Sequence, residues 1–272
     1  MNIDFTNQVA VVTGGAKGIG AATVELLCQL NARVAIFDLD EEQAALLAGR
    51  LTERGSTASF HRCDVSDAAS VQKATAEAVQ HYGAIHILVH SAGIQRYGDV
   101  ISTSMETWRE TLAVHVDGCF HAVRFVLPHI LAAGGGSVVI VGSVQTVTSV
   151  AGSAAYVTAK HALAGLTRSI ALDFAKQNVR ANCVMPGAVD TPMLRSAVSV
   201  APDPQQVLDG CARAHPLGRI AQPIEVARPI AFLASNWASF ITGATLAVDG
   251  GMLVPTGGMG FQESGTGSVS NL

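Results

Sequence analysis

Charge is scarce in this chain. Only 14% of its 272 residues are Asp, Glu, Lys or Arg, and only 5% are aromatic, against 49% apolar residues. The net charge is −4, with no basic stripe, so a nucleic-acid partner is excluded. Cysteine is sparse and odd in number: Cys28, Cys63, Cys119, Cys183 and Cys211, without CxxC or metal spacing. Most sit in apolar runs, so they read as buried reduced thiols in a reducing cytoplasm, not as a disulfide framework. His86, His121, His129 and His161 are scattered without HxxxH spacing, and no metal site is expected. No basic segment precedes the first short apolar run, which excludes a signal peptide. The stretch Phe125–Ala159 lacks Asp, Glu, Lys and Arg, yet Gly134-Gly135-Gly136 and repeated Ser and Thr break it, so no membrane span is expected.

What is present is alternation. Val9–Thr13, Arg33–Phe37, Thr57–Arg62, Ile85–His90, Ser137–Val141, Val179–Val184 and Thr245–Val248 read as strands. Gly18–Leu30, Glu41–Arg54, Ala68–Tyr82, Met105–Leu131 and Ala154–Lys176 read as helices, with a possible break at Pro128. Strand–helix alternation with continuous Val/Ile runs predicts an α/β fold: a doubly wound, Rossmann-like parallel sheet in three layers, forming one domain. Pro192–Pro216 is too long for a simple connection and is expected to form a substrate lid. Leu253–Leu272, rich in Gly, Ser and Thr, reads as a tail.

The first strand runs into Thr13-Gly14-Gly15-Ala16-Lys17-Gly18-Ile19-Gly20. Glycines after a strand and before a helix allow a tight turn and close approach of backbone to a diphosphate at the helix N-terminus. Asp38 follows the second strand, where a carboxylate accepts hydrogen bonds from a ribose diol and repels a 2′-phosphate. NAD is therefore favoured over NADP. Lys17 in the loop pulls the other way, but Leu39, not Arg, follows Asp38. Asp40 fits the next helix's N-cap better than Asp38 does.

Tyr156 and Lys160 are four apart in an Ala-rich segment, so they share one helix face. Ser143 follows the buried run Val138–Val141 and Gly142, and a strand end can meet the next helix's first turn. A phenol with an ordinary pKa of about 10 is a poor proton carrier at neutral pH. An ammonium about 4 Å away is expected to stabilise the phenolate by up to ~4 kcal/mol and to bring that pKa toward ~7. Such a group suits general acid–base catalysis.

These motifs, with Cys63-Asp64-Val65, Ser91-Ala92-Gly93, Pro186-Gly187 and the run LGRIAQPIEVARPIAFLASNWASFITGATLAVDGG, resemble the short-chain dehydrogenase/reductase family in type and order over about residues 5–252. The resemblance implies a dinucleotide-binding catalytic domain over residues 1–252. Gly14, Gly18, Ile19 and Gly20 would form the dinucleotide loop, with Lys17, Asp38 and Leu39 beside it. Asp64 and Val65 would flank the adenine, and Ala92 and Gly93 would lie along the cofactor. Pro186, Gly187, Val189 and Thr191 would hold the nicotinamide. Tyr156 would exchange the proton, Ser143 would steady the substrate oxygen, and Lys160 would hold the ribose and tune Tyr156. The family is commonly tetrameric, which implies a homotetramer.

Two positions depart from the family pattern. His90 stands where the family places an Asn after the fourth strand, a change expected to be structural. His115 stands in Val114-His115-Val116-Asp117-Gly118 where an Asn is thought to hold a relay water. His115 either holds that water or titrates, or it is a buried His bonded to backbone. Gln145, two residues after Ser143, and Gln95 suggest a polar pocket and a sugar or polyol substrate; Arg96 reads as loop surface. A cyclic or steroid alcohol and a 3-oxoacyl thioester are the alternatives. From another class, a turnover-deficient NAD-binding sensor or assembly subunit rests on His115 alone, and the intact Ser143, Tyr156 and Lys160 set argues against it.

Overall fold

Val9-Ala10-Val11-Val12 alternates nothing along its length, because both of its faces are buried. Ala10 and Val12 point into one apolar cluster and Val9 and Val11 into another. A strand covered on both sides carries apolar residues at every position. The computed structural model describes residues 3–254. It contains a seven-stranded sheet in the order β3-β2-β1-β4-β5-β6-β7. The strands are β1 (Val9–Thr13), β2 (Arg33–Asp38), β3 (Ala58–Arg62), β4 (Ile87–His90), β5 (Gly136–Val141), β6 (Val179–Pro186) and β7 (Thr245–Val248). Every pairing is parallel, with Thr13 opposite Phe37 on one side and His90 on the other.

Helices α1 (Gly18–Gln29) and α2 (Glu41–Glu53) cover one face with α9 (Pro223–Ala234); α3 (Ala68–Tyr82), α5 (Gly118–Ala132) and α6 (Ala154–Phe174) cover the other. Helix α2 shows why: Ala44, Leu47, Ala48 and Leu51 form an i, i+3, i+4, i+7 stripe that is buried, while Glu41, Glu42 and Arg50 stay outside. Asp40 caps it by accepting the Gln43 N–H at 3.1 Å. The chain winds outward from β1 to β3, then crosses back to β4. That reversal opens a crevice at the carboxyl ends of β1 and β4.

The expectation of one long helix with a break at Pro128 needs correction. No break occurs at Pro128, which lies inside α5. Both Pro128 and Arg124, four residues earlier, are exposed, so the carbonyl that loses its partner faces water. The long helix changes instead at Ala113–Asp117, a π-helical turn between α4 (Met105–Leu112) and α5. Pro192–Pro216 contains two helices, α7 (Pro192–Val198) and α8 (Pro204–Arg213). Helix α9 was hidden by Pro223 and Pro229; Pro223 sits at its first turn, where a missing N–H is harmless. The tail expected from Leu253 lies outside the described residues from position 255 onward. Among the described residues, no helix is long and apolar enough to cross a membrane, and no His/Cys/Asp/Glu group could hold a metal.

Candidate active site

One cleft of about 1000 Å³ runs across the carboxyl ends of β1, β2, β4, β5 and β6. Gly14, Lys17, Gly18, Ile19, Asp38, Leu39, Asp64, Val65, Ala92 and Gly93 line it from one end. Pro186, Gly187, Val189 and Thr191 line it along β6, and Ser143, Tyr156, Lys160, His115, Gln95 and Gln145 lie deeper. Gly20 does not line the cleft. It packs beneath the loop, where an added Cβ would fall 1.9 Å from the Gly14 carbonyl oxygen.

The phosphate-loop end fits a dinucleotide. Gly14 has φ +63° and passes so close to the segment after β4 that a Cβ would meet the Ala92 backbone at 2.7 Å. Helix α1 has no side-chain cap and no acid in its first turn. Its first N–H groups are thus free to meet an anion. Asp38 accepts the Ala16 N–H at 2.8 Å through one oxygen and the Asp40 N–H at 2.9 Å through the other. It braces the loop and keeps a lone pair on each oxygen. Lys17 is ion-paired with Asp40, and that pairing holds the Asp40 carboxyl below its ordinary range. Asp64 accepts the Ser66 N–H at 2.9 Å and the Ser66 hydroxyl at 2.6 Å, which fixes the turn that carries Val65. Thr191 caps α7 through the Leu194 N–H at 3.3 Å and packs against Gly18 across the cleft.

The deep end is a buried polar cluster without a carboxylate. Ser143 follows β5 in a capping box: its N–H donates to Thr146 Oγ1 at 3.0 Å, and its Oγ accepts the Gln145 N–H at 3.2 Å. The hydroxyl proton of Ser143 remains free to donate. Lys160, 5% exposed, donates to the Val141 carbonyl at 3.0 Å, and its Nζ lies 5.4 Å from the Tyr156 ring centroid. Burial pushes the ammonium down to about 8. Burial also pushes the Tyr156 phenol up to about 12, with the Ser143 hydroxyl opposing the rise. In the ligand-free cleft the phenol is therefore not drawn toward 7. Lys160 directs a proton to the Val141 carbonyl, and desolvation dominates at Tyr156.

Both departures from the family pattern lie here. Thr13 Oγ1 accepts the Ser91 and Ala92 N–H groups at 3.2 and 3.3 Å, so its own proton goes to His90 Nδ1, 2.9 Å away. The His90 proton then sits on Nε2, which is buried without a partner. His115 stands in the π-helical turn, with Nε2 2.8 Å from the Ile94 carbonyl oxygen. Its ring meets Tyr156 edge to face at 5.2 Å and presses on Gly93, where a Cβ would fall 2.6 Å from His115 Cε1. Burial first, and the Lys160 charge second, push both imidazoles down to about 3. His115 is thus neutral and bonded to backbone in this structure, and it does not titrate near neutrality. His115→Asn is expected to keep or raise activity, since an amide can replace the contact with Ile94. A loss in kcat of ten-fold or more in a folded variant, measured at saturating substrate, would show that the imidazole itself is required.

Sequence reasoning missed part of the substrate wall. Ile94, Tyr97, Val144 and Val150 face Met193, Leu194, Ala197 and Val207 of α7 and α8. These come from loops and short helices with no local motif, although the length of Pro192–Pro216 did mark the region. Arg96 is paired with Glu110 at 2.7 and 2.9 Å, as expected of loop surface.

The comparisons with known proteins agree with this geometry. A family model described as enoyl-(acyl carrier protein) reductase, within the short-chain dehydrogenases/reductases, matches residues 14–253. A cis-4-hydroxycyclohexanecarboxylate dehydrogenase of Sinomonas cyclohexanicum is 41% identical over 248 residues, covering 91% of this chain and 97% of its own. A cyclohexanol dehydrogenase of Acinetobacter sp. (strain SE19) is 35% identical over 253 residues, covering 92% and 96%. The ligand-free aldohexose dehydrogenase of Thermoplasma acidophilum superposes with a TM-score of 0.84 at 35% identity, covering 93% of this chain and 97% of its own. A crevice at the sheet's switch point, with Ser143, Tyr156 and Lys160 at its deep end, thus occurs in a chain that belongs to the short-chain dehydrogenase/reductase family and is an oxidoreductase acting on CH–OH groups.

Proposed function

We propose that the protein oxidises a neutral carbocyclic secondary alcohol with NAD. The observation that carries this reading is the wall beyond Tyr156. Ile94, Val144, Val150, Met193, Leu194 and Val207 make it apolar, and among the described residues it contains no cation free to pair. Lys17 is engaged by Asp40, Lys160 lies beneath Tyr156, and Arg96 is held by Glu110. A carboxylate such as the Sinomonas relative's name describes, or a phosphate-bearing thioester, would meet no free cation on this wall. The Oε1 of Gln145 is buried without a partner, which also supports a second hydroxyl on the substrate and keeps a polyol as the second reading.

Bound NAD would supply the hydride acceptor and a cationic ring. The protein's residues would do the rest. Tyr156 takes the hydroxyl proton in the phenolate form that a cationic ring beside it would favour over the phenol of the ligand-free cleft. Ser143, its oxygen already occupied by the Gln145 N–H, donates to the substrate oxygen. Lys160, poised near 8, passes the proton onward. Exposed Leu172 on α6 and Trp237, Phe240 and Leu246 around β7 support assembly as a homotetramer, and free buried cysteines support a cytoplasmic setting.

The test is NADH formation with cyclohexanol, a cyclohexanediol, 4-hydroxycyclohexanecarboxylate, glucose and a hydroxyacyl thioester. The neutral rings should give the highest kcat/KM. An anion or a sugar turning over fastest would overturn the reading. On the cofactor side, the wild type should prefer NAD over NADP, and Asp38→Ser should shrink that preference at least ten-fold, read as the ratio of kcat/KM values. An unchanged ratio would remove Asp38 as the selector.

A further inference from the structure

His215 is 3% exposed and lies just past the C-cap of α8. Ala188 N–H donates to its Nε2 at 3.0 Å. A backbone N–H can only donate, so Nε2 is the acceptor and the ring proton sits on Nδ1. Nδ1–H points at the Cys211 carbonyl, 2.6 Å away, one turn back on α8. One neutral tautomer therefore satisfies both contacts, and no other does. The ring reaches Ala188 only because Gly187 has no side chain: a Cβ there would lie 2.3 Å from Nε2. Gly250, after β7, closes the other side, with a Cβ position 3.4 Å from His215 Cβ. Leu217 N–H donates to the Gly250 carbonyl at 3.2 Å.

Three segments therefore meet on one imidazole. The end of β6 and the loop after it line the cofactor end of the cleft through Pro186, Gly187 and Val189, and α8 lines the substrate end through Val207 and Cys211. We propose that His215 is a positioning residue that fastens the substrate-side helix α8 to the cofactor-side loop, so that filling the cofactor end orders the substrate end. The inference rests on the reading that Pro186–Thr191 faces the cofactor. It concerns how the two halves communicate, not which alcohol binds.

The test is amide hydrogen exchange of the full chain with and without NADH. In the wild type, NADH should slow exchange at both Gly14–Gly20 and Pro204–Arg213, the latter by about ten-fold, as expected when a mobile unit gains the stability of its neighbour. His215→Asn reaches Cys211 but not Ala188. It should keep the protection at Gly14–Gly20 and lose that at Pro204–Arg213. His215→Phe, which preserves ring volume, should do the same. His215→Gln, whose carbonyl oxygen extends to the Nε2 position, should restore it. Equal protection of Pro204–Arg213 in wild type, Asn and Phe variants would overturn the proposal. Wild-type protein in which NADH protects neither stretch would overturn the cofactor reading, and the fastening role with it.

Discussion

Tyr156→Phe is expected to lower kcat by about a thousand-fold while leaving NADH affinity within about three-fold of wild type. The substitution removes only the oxygen that carries the proton. General acid–base catalysis contributes ~10²–10⁴ in rate, and each decade corresponds to about 1.4 kcal/mol of barrier. The ring itself stays packed edge-on against His115 at 5.2 Å, so the floor of the cleft survives. Single-turnover NADH formation reads the chemical step directly. Residual activity above a tenth of wild type would mean that another group, or water, moves the proton.

Lys160→Met is expected to abolish useful turnover and at the same time to stabilise the protein. Lys160 is buried without a carboxylate, and its folded pKa of about 8 lies below its ordinary value of 10.5. Below pH 8 the folded state must hold a charge that it disfavours by about 3 kcal/mol, taking ~1.4 kcal/mol for each tenfold change in proton affinity. Between pH 8 and about 10.5 the unfolded chain binds the proton and the folded chain does not. Wild-type stability therefore rises with pH across that window, and the variant lacks this rise. Methionine keeps the stem's volume but leaves the Val141 carbonyl unpaired, which offsets about 1 kcal/mol. The net gain of about 2 kcal/mol corresponds to a Tm increase of roughly 5 °C at pH 7 in ligand-free protein. A Tm that falls, or a wild-type stability flat between pH 8 and 10, would show that the charge is better solvated than its burial implies. The pair of results would place this lysine among groups kept for chemistry at the expense of stability.

The sheet was legible because burial on both faces writes itself into the strands as uninterrupted Val and Ile. The Asp40 role was legible too, since an acid just before an amphipathic stripe caps the helix, and Asp40 caps Gln43; the bond by which Asp38 braces Ala16 had no signal in the sequence. Helix α9 was not legible, because local rules penalise Pro223 and Pro229, whereas packing on β5 and β6 through Val226 and Ile230 outweighs them. The Tyr156 environment was half legible. Spacing put Lys160 on the right face, but how deeply both groups are desolvated depends on residues distant in the chain. His215 carried no local signal at all. Its partners, Ala188 and Cys211, become neighbours only when β6, α8 and the loop after β7 converge.

The π-helical turn at Ala113–Asp117 also acts as a phase shifter. A regular helix advances about 100° per residue, and a π turn takes up roughly one residue more than an α turn. Helices α4 and α5 are therefore two spirals offset by one step, each aimed at its own neighbours: α4 at α6, α5 at α3. Deleting a single residue from Ala113–Asp117 would restore one continuous spiral and swing the whole of α4 through that angle, taking Thr111 out of the interior. The sequence thus carries a hidden reading frame at this point, in which length matters more than the identity of any one side chain.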